Sequence, residues 1–292
     1  MSCYRFIDAE KANYPVSALC RVLKVSRSGY YAWRDRPPSK RARANAALTE
    51  RIREIHHRSR ETYGYLRVHA ELRALGERCN RKRVARLMRK DGLRGCMRGR
   101  RRKHTTRQDP LAVPAPDLVE RDFRATAPDR LWTADITYLP TDEGFLYLAF
   151  ILDVYSRKVV GWSMASHLRS ELVAAALEMA IRRRNPSAGL IHHSDRGAQY
   201  TALSFGKRLE QCGIVPSMSR VGSALDNAIS ESFVSTLKSE IGVSRYPTRQ
   251  AARASTFEFI ELFYNRVRRH SSLGYLSPAE YEQAILEEAA VA

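Results

Sequence analysis

Between Asp129 and Ser166 three stretches rich in β-branched and aromatic residues follow one another, DRLWTADITYLPT, FLYLAFILDVYS and RKVVGWSMAS. Asp142-Glu143-Gly144 parts the first two as a turn, and the pattern predicts an antiparallel meander of three strands. Beyond it the periodicity changes. A helix is expected over 170–184, a short strand over 190–195, a helix over 202–212, a strand over 214–219 and a long helix beginning near Asn227. The order βββαβαβα is that of a mixed sheet with helices packed on it.

Three carboxylates stand at telling places in that order. Asp135 lies inside the first strand, in WTADITY, among residues that belong in a core, where a lone carboxylate is costly unless it has a partner. Asp195 ends the fourth strand, with Gly197 two residues on to allow a tight turn, and strand ends in open α/β sheets are where sites form. Glu231 sits early in the helix DNAISESFVSTLKSE, whose Ile229, Phe233, Val234 and Leu237 mark the buried side. Bringing three anions within about 4 Å costs several kcal/mol per pair even at an effective dielectric near 20, and divalent cations remove that cost. Oxygen-only ligands suit Mg2+ or Mn2+, and two such ions stabilise both the attacking and the leaving oxygens of an in-line phosphoryl displacement. Singly each carboxylate has a dull alternative: Asp135 as a turn acceptor, Asp195 as a cap, Glu231 as a surface residue. The spacing favours the site, since 35 residues separate Asp195 from Glu231 and Lys238 follows Glu231 by seven, two turns along the same face. A cation there can hold a phosphate strand. The order and its acids describe a ribonuclease H-like nucleotidyltransferase core.

Charge divides the chain. Residues 1–125 carry 32 Lys and Arg against 13 Asp and Glu, whereas residues 126–292 carry 18 of each, so the whole excess of +19 sits in the first part. That part calls for a polyanion, with nucleic acid ahead of an anionic membrane. The longest apolar run, Phe145–Leu152, has eight members, far below the roughly 20 of a spanning helix. No signal peptide is indicated, because Arg5, Asp8, Glu10 and Lys11 interrupt the N-terminus, and the expected compartment is the cytoplasm. The five cysteines are odd in number, widely spaced and without a C-x-x-C, and read as reduced thiols. A zinc site built from His56, His57, His69, Cys79 and Cys96 lacks closely spaced ligand pairs.

Within the basic part, Leu19, Val22 and Leu23 mark a short helix, Ser26 an N-cap and Arg27–Trp33 a second helix. The same plan returns in a helix over 66–75 ending at Gly76, Asn80 as N-cap, and a helix Arg81–Lys90 stopping at Gly92. Val84, Leu87 and Met88 face inward, leaving Arg81, Lys82, Arg83, Arg86 and Arg89 on the helix that enters the major groove in helix-turn-helix proteins. A charged helical hairpin is the competing reading. Three parts are therefore expected: a basic helical DNA-binding region over 1–97, an Arg- and Pro-rich linker over 98–125, and a catalytic core with C-terminal helices over 126–292. The linker's Arg100, Arg101, Arg102 and Lys103 can lie along a phosphate backbone, or form a solvated loop.

WTADITY, HSDRGAQY, SMSRVGSALDNAISESFVSTLKSE and YNRVRRHSSLGYLSPAEYE together resemble the second reading frame, OrfB, of bacterial insertion sequences of the IS-three family, transposases with a retroviral-integrase-like core. The resemblance runs from about Val16 to Tyr281. It implies that Asp135, Asp195 and Glu231 are the metal-binding catalytic triad, served by two Mg2+ or Mn2+ ions, and that Lys238 is the basic residue following the Glu. His193, Ser194, Gly197, Gln199 and Tyr200 match the motif around the second Asp. Ser219, Arg220, Gly222, Asp226 and Asn227 match the segment before the Glu, with Arg220 and Asn227 placed to meet DNA. Residues 46–95 resemble the family's helix-turn-helix module. The implied activity is cleavage and joining of element ends and insertion into target DNA, with an OrfA partner or fusion and a homo-oligomer on DNA. The chain itself has no sustained heptad repeat, so a zipper is expected from the partner frame. A DNA-binding regulator that keeps the fold without the chemistry is the alternative, and Arg268, Arg269, His270 and Tyr275 in RRHSSLGY raise a third, a tyrosine recombinase.

Overall fold

The computed structural model describes residues 2–96, 115–120, 122–219 and 228–291. Three helices come first, α1 (Cys3–Glu10), α2 (Val16–Val22) and α3 (Arg27–Arg34), around a small core of Ile7, Cys20 and Tyr30. Ser26 caps α3 as expected, its Oγ accepting from the Gly29 N–H at 2.9 Å. Next stand α4 (Lys40–Arg58), α5 (Tyr65–Ala74) and α6 (Arg81–Lys90). Asn80 caps α6 through the Lys82 N–H, and Val84, Leu87 and Met88 are buried.

The sheet has five strands in the order β3-β2-β1-β4-β5: β1 (Leu131–Thr141), β2 (Gly144–Asp153), β3 (Val159–Ala165), β4 (Ile191–Ser194) and β5 (Val215–Met218). β1–β2 and β2–β3 pair antiparallel, β1–β4 and β4–β5 parallel. Hairpin links give the antiparallel pairs, and the crossovers α7 (Ser170–Arg184) and α8 (Leu203–Gln211) give the parallel ones. This is the mixed-sheet architecture of a ribonuclease H-like core. Pro140 is tolerated in β1 because β4 accompanies that strand only through Leu131–Thr133 and the later bridge to Tyr246 uses the Pro140 carbonyl and the Asp142 N–H, so no donor is needed at Pro140 itself.

The two-residue period of β1 and β2 builds two cores. Trp132, Ala134, Ala149 and Ile151 pack under α7 and α8. Gly161 of β3 lets α7 approach closely, since a Cβ there would lie 2.2 Å from the Ala176 carbonyl. Leu146, Leu148, Phe150 and Leu152 face the other way, towards α9 (Ala228–Ile241) and α10 (Arg249–Phe257), which continues as a π-helical turn, Glu258–Tyr264. A 3₁₀ turn, Ser271–Leu273, and α11 (Pro278–Val291) complete the chain.

The second core does not stop at the sheet. Leu48, Ile52, Tyr63, Leu72 and Leu87 of the basic helices belong to the same buried cluster as Phe150, Phe233 and Phe263. Tyr63 is the pin: its hydroxyl accepts from the Arg269 N–H at 2.7 Å, and Arg269 Nη2 donates to Glu71 at 3.0 Å. Arg67 Nε donates to the Arg269 carbonyl at 3.0 Å. Most of the expected linker lies outside the described residues, but its last part lies against the core. Val119 is buried, Leu118 N–H donates to Ser217 Oγ and the Pro116 carbonyl accepts from the Met218 N–H, which covers the edge of β5.

Candidate active site

β1 and β4 pair in register at Leu131–Ile191, Trp132–His192 and Thr133–His193, so two steps further on Asp135 stands beside the end of β4, where Asp195 follows Ser194. Alternation puts Thr133 and Asp135 on one face of β1. Thr133 Oγ1 meets Ser230 Oγ at 2.9 Å, fixing the first turn of α9, and therefore Glu231, over that face. Asp135 Oδ1 accepts from the Ile136 N–H at 2.7 Å and Asp195 Oδ1 from the Gly197 N–H at 3.0 Å, so each aspartate is held by its own turn of backbone. A Cβ at Gly197 would crowd both Asp195 and Gln199.

Burial, and then the charge of Asp195, push the Asp135 carboxyl up to about 8; the Ile136 N–H opposes this, Glu231 adds to it and Lys238 opposes it weakly. The carboxyl thus keeps its proton at neutral pH unless a cation joins it. A hard divalent ion with oxygen ligands fits that donor set. Among the described residues no three His, Cys, Asp or Glu are gathered closely enough to hold a metal as they stand, and Glu231 is exposed on the open side of α9. Lys238 lies two turns along, its Nζ 4.5 Å from the centre of the Tyr138 ring. That platform was not anticipated: strict alternation assigns Tyr138, three residues past Asp135, to the other face of β1, so the strand pattern gave no signal for it. Tyr200, from the motif after Asp195, is buried behind the pair, and burial with the two aspartates holds its hydroxyl far above the ordinary range.

Other expected residues sort differently. Arg81, Lys82, Arg86 and Arg89 are exposed on α6, but Arg83 is half-buried and its Nε donates to Asn45 Oδ1 at 2.9 Å, joining α6 to α4. Arg100, Arg101, Arg102, Lys103, Arg220 and Asn227 lie outside the described residues. The recombinase reading loses its arginines to structure. Arg268 is buried and bidentate on Glu240 at 2.7 and 2.6 Å, and Arg269 pins the basic helices. The zinc arrangement fails likewise, since His56 bonds the Arg94 carbonyl and His69 the Cys79 carbonyl. No described helix is long and apolar enough to cross a membrane.

The family model of the integrase core domain matches residues 125–224, a second integrase core domain model residues 212–278, and an HTH-like domain model residues 43–101. The chain is 45% identical to the insertion element IS600 uncharacterized 31 kDa protein of Shigella sonnei, over 93% of this chain and 100% of that one. It is 40% identical to transposase InsF for insertion sequence IS3A of Escherichia coli (strain K12), over 96% and 98%. Fold and likeness together define a DNA-binding polynucleotidyl transferase of the integrase-core class. More narrowly, the chain belongs to the IS3 family of insertion-sequence transposases.

Proposed function

We propose that Asp135, Asp195 and Glu231 carry the transposase chemistry, cleaving and joining the ends of an insertion sequence. The single observation that supports this reading is the convergence of β1, β4 and the first turn of α9, joined by the β1–β4 register and the Thr133–Ser230 bond. The three carboxylates hold Mg2+ or Mn2+, two ions per site, which would polarise the scissile phosphate and neutralise charge on the attacking and leaving oxygens. The chain's own residues do the rest. Asp135 and Asp195 are fixed by backbone N–H groups, so their remaining oxygens are pre-aimed. Lys238, propped on Tyr138, contacts a phosphate near the cut.

The basic helices of residues 1–97 bind the terminal repeats, with Arg81, Lys82 and Arg86 of α6 facing DNA, Arg83 bracing α6 against α4 beneath them, and the first part of the segment 98–125 following the backbone through Arg100, Arg101, Arg102 and Lys103. Arg220 and Asn227 meet the DNA before Glu231. An upstream OrfA frame, as partner or fusion, and a homo-oligomer on paired ends complete the assembly. The test is cleavage and strand transfer on labelled element ends, with and without that frame. Mg2+ or Mn2+ is expected to support both steps, and Ca2+ binding but little joining, because its looser coordination misplaces the oxygens. Joining without any divalent ion would overturn the reading.

A further inference from the structure

α9 has a second flank. Glu231 and Lys238 line one side of the helix, while Ser232 and Thr236, a turn apart, line the other. There they form the wall of a pocket of about 70 Å³, closed by Arg157 from the turn between β2 and β3, by Arg268 and His270 after the π-helical turn, and by Ser272. A single water needs roughly 10–15 Å³, so the pocket has room for a small cluster of waters or a tetrahedral oxyanion.

The two guanidiniums are not equivalent. Arg268 has its counter-ion in Glu240. Arg157 is half-buried, and among the described residues its side chain makes no ion pair and donates to no carboxylate or carbonyl. The carboxylate whose charge reaches it, Asp153, is already held by Ser156 N–H, Ser156 O–H and Asp129 N–H. Burial holds Arg157 below the ordinary arginine range. Its five donors therefore have no protein acceptor among the described residues, and a half-buried guanidinium so placed gains from a ligand that supplies one. Ser232, Thr236, Tyr264 and Ser272 make the walls beside it polar, and the planar fork of arginine matches phosphate oxygens in pairs.

We propose that this pocket is a phosphate-binding site, separate from the carboxylates, in which Arg157 supplies the charge. The phosphate comes either from a nucleic-acid strand or from free inorganic phosphate. In the first case the strand engages both flanks of a helix about 10 Å across. The site stands whether or not the three carboxylates are catalytic.

Calorimetric titration of the full chain with inorganic phosphate, against chloride at equal ionic strength, tests it. Arg157→Asn removes the charge while tolerating the backbone φ of 62° at this position, since asparagine accepts the left-handed region; Arg157→Lys keeps the charge. Saturable binding to the wild type is expected, weakened about tenfold or more by Arg157→Asn and largely kept by Arg157→Lys. Ser272→Ala, at the exposed rim, is a second variant expected to weaken it less. No saturable phosphate binding to the wild type, or equal binding by Arg157→Asn, overturns the proposal. Competition between phosphate and a single strand, with or without a 5′-phosphate, supports the strand as source, because both forms carry backbone phosphodiesters. Phosphate binding without such competition supports the free ion.

Discussion

His192 shows how little room the sheet leaves for a charge. It is 1% exposed, edge-on to Phe205 at 5.5 Å, and burial pushes its imidazole down to about 4. The folded chain therefore holds it neutral, whereas the unfolded chain takes up a proton near 6.5. That contribution to stability is fully present above pH 6.5 and is lost as pH falls from 6.5 through 4, by roughly 3 kcal/mol. Urea midpoints measured between pH 7 and 4.5 are expected to fall, and His192→Phe to flatten that fall; an unchanged slope would count against it. At the carboxylates, the proposed triad predicts that Asp135→Asn, Asp195→Asn and Glu231→Gln each reduce cleavage and joining by about 10²-fold or more while leaving DNA affinity nearly unchanged, because on that proposal each removes an oxygen ligand and none removes a phosphate-binding cation. Strand-transfer gels beside binding isotherms check this, and a fully active variant would remove that residue from the triad. Asp135 was legible in the sequence because a carboxylate inside an apolar strand has few reasons to be there. Arg157 was not: only the fold reveals that the hairpin turn delivers it to the side of α9.

Elements were legible where period and punctuation agree. The five strands, α7, α8 and α9 fall within a few residues of expectation, since two-residue alternation and turn residues act locally. α4 was not anticipated, because Leu48, Ile52 and Ile55 are sparse among basic residues. The π-helical turn is tertiary in origin: it delivers Asn265, whose side chain accepts from the Val159 N–H and donates to the Val159 carbonyl, covering part of the edge of β3. Just beyond, Arg268 and Glu240 tie the end of this turn to α9 with both partners buried. Arg268→Met leaves the buried Glu240 carboxylate with only the looser Arg67 guanidinium, 3.6 Å away, and is expected to cost about 3 kcal/mol, whereas Arg268→Met with Glu240→Met recovers most of it. Denaturant melts of the single and double variants decide; an equal loss in both would mean that packing rather than charge holds this joint.

At the scale of the whole molecule, the charge asymmetry sets a test that keeps the chain intact, since the basic helices share a core with α9 and cutting them away would expose it. Replacing Arg81, Lys82 and Arg86 together by alanine is expected to lower the slope of log affinity against log salt by about 0.9 for each phosphate that these side chains neutralise. An unchanged slope would show that α6 is not the DNA face. The pinning of those helices by Tyr63, Arg269 and Glu71 has one more consequence. On the proposed function, a reading head and a cutting centre built on one buried core act as a ruler with a fixed phase. Each base pair inserted between the recognised sequence and the scissile bond turns that bond by about 34–36° around the duplex, so cleavage across a spacer series should fade within about two or three base pairs and return near a full turn of roughly 10–10.5.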